Sequence, residues 1–212
     1  IEAAGIVSKK HHGVITYTGN GTTGQSITGL DFKPDLVWIK SRSFGNNHHM
    51  FDIIRGPDKI LRTSTSDQES EVTDVMSSFD SNGFTVKEGG GNNATNDNGS
   101  TFVAWCWKAG GAGSSNSNGT ITSSVSANQE AGFSIVTWTG DGNVNSTVGH
   151  GLNGRPDFIM LKARTYGANW RIYHRYYGTN ATSGLYHNDG SSYSHDSWGG
   201  IKAVGLTNFG FG

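Results

Sequence analysis

Pro34-Asp35-Leu36-Val37-Trp38-Ile39-Lys40-Ser41-Arg42, preceded by Gly29-Leu30, returns as Pro156-Asp157-Phe158-Ile159-Met160-Leu161-Lys162-Ala163-Arg164, preceded by Gly151-Leu152. The agreement extends in both directions. Upstream, Gly13-Val14-Ile15-Thr16-Tyr17-Thr18-Gly19-Asn20-Gly21 stands opposite Phe133-Ser134-Ile135-Val136-Thr137-Trp138-Thr139-Gly140-Asp141-Gly142; downstream, Asn47-His48-His49-Met50-Phe51 stands opposite Asn169-Trp170-Arg171-Ile172-Tyr173. The offset holds at 121 to 122 positions throughout. Self-similarity at a fixed spacing marks a repeated structural unit. The chain is written twice.

The repeated runs are short, alternating and bounded by turn residues, which is the pattern of strands. In the first copy this predicts strands near 13–18, 25–30, 35–42, 48–54, 59–64, 75–79, 83–88 and 101–108. Asn20-Gly21 and Asn82-Gly83 carry tight-turn chemistry, since both residue types tolerate positive φ. Leu36-Val37-Trp38-Ile39 is apolar without a break, so that strand is expected to be covered on both faces. In Phe102-Val103-Ala104-Trp105-Cys106-Trp107, alternation puts Val103, Trp105 and Trp107 on one face and Phe102, Ala104 and Cys106 on the other. The two tryptophans are expected in or beside the core. No segment suits a crossover helix, so the fold class is all-β: two tandem antiparallel β-sandwich or jelly-roll domains.

The expected division is an N-terminal segment 1–12, a first sandwich repeat 13–108, a linker 109–131 and a second repeat 132–212. The linker assignment rests on Gly110-Gly111-Ala112-Gly113-Ser114-Ser115-Asn116-Ser117-Asn118, a composition typical of flexible connections. The second copy reaches Asn208-Phe209-Gly210-Phe211, which matches Asn82-Gly83-Phe84, and offers no counterpart of Ser100 to Lys108. It is therefore expected to be incomplete at its C-terminus. Either the chain is a piece of a longer protein, which is the expectation, or another segment supplies the strand, because a bare sheet edge invites aggregation.

Composition excludes several function classes. Of 212 residues, 16 are Lys or Arg and 17 are Asp or Glu, a net charge of -1 that leaves no basic footprint for nucleic acid. No apolar run approaches the roughly 18 residues of a membrane span, so a soluble chain without membrane insertion is expected. The sequence begins at Ile1 without a recognisable targeting signal. Cys106 is the only cysteine, so no internal disulfide can form. Ten Phe, seven Tyr and six Trp supply enough apolar surface to rule out a disordered chain.

Candidate chemistry is thin. Gly19-Asn20-Gly21-Thr22-Thr23-Gly24 fits a dinucleotide fingerprint in letters, but no helix follows and the second copy loses the third glycine, so a hairpin tip is expected. His11-His12 and His48-His49 are adjacent pairs whose members point to opposite faces of a strand, and one cysteine excludes a thiolate-rich zinc site; no metal ligand set is assigned. Calcium is retained as an option because Asn93 to Gly99, Asp141 and Asp189 are oxygen-rich, although the EF-hand pattern fails. Glu69, Glu71 and Asp74 form the densest acidic group, read as a solvated loop, since the second copy has no equivalent carboxylates for glycoside hydrolysis. Ser192, His195 and Asp196 are too close in sequence for a triad, so no catalytic residue is assigned and the chain is expected not to be an enzyme. The best functional hint is Trp170 to Tyr177, where alternation would put Arg171, Tyr173, Arg175 and Tyr177 on one face, suited to stacking on sugar rings or to a protein interface. The competing reading makes Tyr173 a core residue, since its partner in the first copy is Phe51.

Taken as a set, these residues resemble a repeat domain of structural proteins of tailed phages, especially marine ones. The shared pattern is Tyr-Thr-Gly-Asn-Gly at Tyr17 to Gly21, Gly29 to Arg42 with its Pro-x-x-Val-x-Ile-Lys-x-Arg, Asn-Gly-Phe at Asn82 to Phe84, and a closing aromatic-x-Ala-x-x-Trp strand at Phe102 to Trp107. The second copy matches at Trp138 to Gly142 and Gly151 to Arg164. The resemblance implies a concanavalin-like, lectin-type sandwich and a non-catalytic protein of the virion surface or tail fibre that presents loops for host-surface or glycan attachment. Its implied partners are other virion proteins or copies of itself in a homo-oligomer, with a host glycan as ligand. The alternative is a carbohydrate-binding module of a secreted or cell-surface protein; a glycan-cleaving enzyme on the same scaffold is a third.

Overall fold

The computed structural model describes residues 8–175, 183–186, 192–194 and 201–211. They form an all-β fold whose only helical pieces are single turns at Ser8–Lys10 and Gly91–Asn93. Every strand ladder among them is antiparallel, with one isolated parallel bridge from Ile121 to Val148. The chain divides into two units, Ile1–Arg62 with Glu69–Gly111, and Thr63–Gln68 with Ala112–Gly212.

The first unit contains β1 (His12–Thr18), β2 (Gln25–Thr28), β3 (Leu36–Ser41), β4 (His49–Asp52), β5 (Gly56–Arg62), β6 (Ser70–Glu71), β7 (Met76–Asp80), β8 (Gly83–Val86) and β9 (Thr101–Trp107). They build a six-stranded sheet in the order β1-β9-β3-β4-β5-β6 and a three-stranded sheet in the order β2-β8-β7. One apolar cluster draws on both sheets: Val37, Ile39, Phe51, Ile60, Phe102, Ala104 and Cys106 from the first, and Ile27, Met76, Phe84 and Val86 from the second. Fully burying a side chain such as Phe102 contributes roughly 1.5–3 kcal/mol, so this cluster is the main source of cohesion.

Alternation along β9 gives the expected two faces, but the core side is the opposite of the one expected. Phe102, Ala104 and Cys106 have no exposure, whereas Trp105 and Trp107 lie half-buried on the other face. The physical reason is space. β9 is held between β1 and β3, above an interior already filled by Phe51 and Phe84, and only small residues fit at two of its three inward positions.

The segment 19–24 is not a hairpin tip. β1 pairs with β9 and β2 pairs with β8, so this segment carries the chain from one sheet to the other. It docks on residues 96–100: Gly19 N donates to Ser100 O at 2.8 Å, Gly99 N to Gly19 O at 2.9 Å and Gly21 N to Asn96 O at 2.8 Å. A Cβ on Gly19 would lie 2.3 Å from Asp97 O, so only glycine permits this approach. The Asn96 amide is fully buried and spends both ends on the same junction, accepting from Asn20 N and donating to Asn20 Oδ1 and Thr22 O. The turn between β7 and β8 is tight as expected, but Asp80 pairs with Gly83, so Ser81 and Asn82 are its central residues.

The second unit contains β10 (Ser114–Asn116), β11 (Ser123–Asn128), β12 (Phe133–Thr137), β13 (Thr147–Gly149), β14 (Phe158–Leu161), β15 (Arg171–His174), β16 (Ser183–Tyr186), β17 (Ser192–Ser194), β18 (Ile201–Val204) and β19 (Asn208–Phe211). Its ladders reproduce those of the first unit. The β3–β4 pairs Leu36–Asp52, Val37–Phe51, Trp38–Met50 and Ile39–His49 return 122 positions later as Phe158–His174, Ile159–Tyr173, Met160–Ile172 and Leu161–Arg171. The β7–β8 ladder, with its irregularity between Met76 and Ser78, returns 125 positions later in β18–β19, with its irregularity between Ile201 and Ala203.

The expected linker is a further difference. Residues 114–116 and 123–128 are strands, and β11 pairs with both β10 and β12. Gly/Ser/Asn composition reads as a flexible connection, yet Val125 and Ser126 are buried and Ser123 Oγ donates to Gly149 O at 3.1 Å.

Two outcomes test the orientation of β9. Phe102→Ala should lower stability in urea unfolding by about 3–5 kcal/mol, and Trp105→Ala should cost clearly less. Burial pushes the Cys106 thiol up to about 12, so an alkylating reagent at neutral pH should leave the native protein unmodified and label it only once it is unfolded.

Candidate functional site

The face of the six-stranded sheet turned away from the core carries the densest group of partly exposed aromatics among the described residues. Register places Val14, Trp105 and Trp38 in one row across β1, β9 and β3, with His12, Trp107 and Leu36 in the next row on the same face. The rings touch: Trp38 and Trp105 have centroids 5.8 Å apart, His12 and Trp107 4.9 Å, and Trp38 and His48 6.1 Å, all at interplanar angles of 51° to 54°. Val14 is 52% exposed at one end of its row. At the other end the row continues into Met50 and Leu61, both buried. The accessible part therefore lies over β1, β9 and β3. Strands hold these side chains rigidly, and tilted aromatic pairs add about 0.5–1.5 kcal/mol each beyond area burial. Such a surface offers ring faces for stacking on the C–H face of a sugar or an apolar partner, with imidazoles beside them as hydrogen-bonding groups.

Of the residues assigned from sequence, the three that are described do not form one exposed surface. Tyr173 is 4% exposed and packs with Val148, Ile201 and Phe209, as Phe51 packs in the first unit, so it is a core residue. Its hydroxyl accepts a hydrogen bond from Arg155 Nη2 at 2.7 Å. Arg171 is half-buried on β15. β15 ends at His174, so alternation stops there; Arg175 falls in the following turn, exposed, with Nη1 3.1 Å from the Asp157 carboxylate. Tyr177 lies outside the described residues.

A family model described as a domain of unknown function, DUF7483, matches residues 7–210. The chain belongs to the DUF7483 family. No curated protein and no solved structure matches it. The matched span covers both copies, so the DUF7483 domain contains the duplicated ladders as a whole.

Several other candidate groups of this DUF7483 chain bond within the fold, while Asp189, His195 and Asp196 lie outside the described residues. In the acidic group, Glu71 stays exposed on β6, where Lys59 Nζ pairs with it, and Asp74 stays exposed in a bend, whereas Glu69 is drawn in by the buried Arg55 guanidinium, which bridges it to Asp52. In the oxygen-rich segment, Asn93 Oδ1 accepts from Arg62, and Thr95 Oγ1 donates toward Val75 O at 2.9 Å. Asp141 accepts from Asn143 N and Ser146 Oγ, and these bonds hold its carboxyl below the usual range. Among the described residues, no three His, Cys, Asp or Glu side chains converge as a metal site would require.

His49 is 1% exposed on β4, with Nε2 2.9 Å from Asn92 O, so its ring is held as a neutral donor. Burial, chiefly, pushes its pKa down to about 4; the bond to Asn92 O opposes the shift, and the nearby Arg62 charge adds to it. The unfolded chain therefore binds more protons between about pH 6.5 and 4. Stability from this site should be complete above about pH 6.5 and lost as pH falls toward 4, by up to about 3 kcal/mol. His49→Gln should flatten that acid limb in urea unfolding measured across pH.

Proposed function

We propose that this chain is a non-catalytic adhesion module of two antiparallel sandwiches in tandem, each formed by a larger and a smaller sheet around one core. Its setting in this reading is a virion surface or tail fibre, as the likeness to tailed-phage repeat domains implies, assembled with other virion proteins or with copies of itself. The outward aromatic face of the first unit is the surface that holds the ligand, a saccharide of the host surface. Trp38, Trp105 and Trp107 stack on pyranose rings, and His12 supplies a hydrogen bond at the edge. The observation that carries the reading is the Val14–Trp105–Trp38 row beside Trp107 and His12. It supports binding because large aromatic rings on the outward side of a sheet gain nothing from the core and are costly to leave in water without a partner. The same face suits a carbohydrate-binding module outside any virion; a stable multi-copy assembly would separate the two settings in favour of the first.

The test is binding of the purified chain to an array of immobilised pyranose oligosaccharides. The expected result is selective binding that Trp38→Ala and Trp105→Ala each weaken at least about tenfold, the factor that about 1.4 kcal/mol of lost stacking produces. Absence of binding to every glycan, or binding indifferent to both substitutions in folded protein, would reject this surface.

A further inference from the structure

The outward face over β1, β9 and β3 does not stop at its aromatic rows. Toward the C-terminal end of β3 the register adds Thr16–Val103–Lys40 on the same side, and then Thr18–Thr101, where Arg42 N donates to Thr101 O at 2.7 Å. Ser43 Oγ lies 2.9 Å from Thr101 Oγ1, so the bend that carries Arg42 rests against the outward hydroxyl of that row. Alternate residues of a strand stand about 7 Å apart on one face, which puts Lys40 one row from Trp38. Arg42 is exposed at the row beyond.

The charges along this face have one sign. No Asp or Glu occurs in β1, β3 or β9, and the titratable side chains of these rows, His12, Lys40 and Arg42, are basic. The chain as a whole carries a net charge of -1, so the sign belongs to the face. Lys40 Nζ donates to Phe44 O at 3.3 Å, which occupies one of its three N–H donors. Among the described residues neither Lys40 nor Arg42 has a carboxylate within ion-pair distance. The far edge of the same sheet is built otherwise: Lys59 of β5 pairs with Glu71 of β6, and Arg55 bridges Asp52 and Glu69. Where cations hold this sheet together it supplies their carboxylates, and on the aromatic face it does not.

A ligand that matches this face offers an apolar ring surface beside an anion. Single-stranded nucleic acid does so, but its phosphates call for a track of cations along the whole strand. Beyond Lys40 and Arg42 the rows add only the imidazole of His12, at the opposite end. A uronate meets both demands with few charges, because its carboxylate sits on a ring carbon and leaves the C–H face of the ring free to stack. A guanidinium donates two parallel N–H bonds to such a planar group, and a lysine ammonium adds a point charge beside it.

We propose that the saccharide held here is anionic: a uronate-containing oligosaccharide laid along β3, one ring stacked on Trp38 and Trp105 and the carboxylate of the next ring bonded by Arg42 and Lys40. This narrows the ligand to one class and rests on the assignment of the aromatic face as the saccharide surface. Exposed ion pairs are individually weak, so stacking supplies most of the affinity and the two cations supply the preference for an acidic sugar over a neutral one.

The test titrates the purified full chain with oligomers of galacturonate, mannuronate and glucuronate, each beside the same oligosaccharide reduced at its carboxyls. A sulfated neutral oligosaccharide and an oligothymidylate, both of matched charge, complete the set. At low ionic strength at least one oligouronate should bind about tenfold more tightly than its reduced form, and the difference should shrink as salt approaches about 1 M. Arg42→Gln and Lys40→Gln should each lower that preference about threefold and together abolish it, with affinity for the reduced form unchanged. Arg42→Gln should leave the melting temperature unchanged, which marks its effect as one of binding. Binding of neutral sugars as tight as that of uronates, and lost in Trp38→Ala, would overturn the anionic class while leaving the aromatic face as a saccharide surface. Absence of binding to every sugar, acidic or neutral, would remove both. Tighter binding of the sulfated sugar or of the oligothymidylate, or a carboxylate preference that survives the double substitution, would also overturn it.

Discussion

A single strand paired on both edges is the constraint on which the first unit depends. β9 joins β1 to β3, and without it the six-stranded sheet has no continuous ladder from its N-terminal strand to the rest. Its inward side chains must also fit an interior filled from both sheets, which limits them to one ring, one methyl and one thiol at Phe102, Ala104 and Cys106. Hydrogen bonding and packing thus converge on seven residues. The aromatic bulk of Trp105 and Trp107 lies on the outer face instead, the surface to which the proposed function assigns the ligand.

Much of the fold is legible in the sequence because period-two alternation and turn residues are local signals. The strands of the first copy fall within a few residues of where the pattern puts them, and the repeat returns as matched registers in two ladders, at an offset of 122 in one and, after three further residues, 125 in the other. What alternation cannot tell is which of two faces meets the core. In β9 both faces carry apolar residues, and the choice depends on volume contributed by Phe51 and Phe84, which are distant in sequence. Tyr173 illustrates the reverse case: its repeat partner Phe51 was the better guide than its own arginine-rich neighbours. The expected linker 109–131 differs for a third reason, since Ser and Asn side chains that suit a flexible connection also bond well in a short ladder, as at 114–116 and 123–128.

Among the described residues, several buried polar side chains serve the backbone. Asn96 pins the crossing between the two sheets, Asp35 receives the amides that follow β9, and Arg55 gathers Asp52, Glu69 and two carbonyls beneath β5 and β6. Buried polar groups used in this way are satisfied and rigid, which leaves few of them over for chemistry on a ligand. In the proposed reading, recognition falls instead to the aromatic face over β1, β9 and β3.

The pairing of β1 with β9 has one further consequence, for biosynthesis. Its partners lie more than eighty residues apart, from Thr18–Thr101 to His12–Trp107. A ribosome delivers the early strands long before the late one, and loop-closure entropy delays their meeting even afterwards. Until Trp107 emerges, the nascent chain carries Val37 and Ile39 beside an open ladder, the condition in which neighbouring polypeptides on a polysome exchange strands. Sparse hydrophobicity, abundant glycine and an early charged stop at Lys40 and Arg42 on that strand's end are the features that would keep this interval safe.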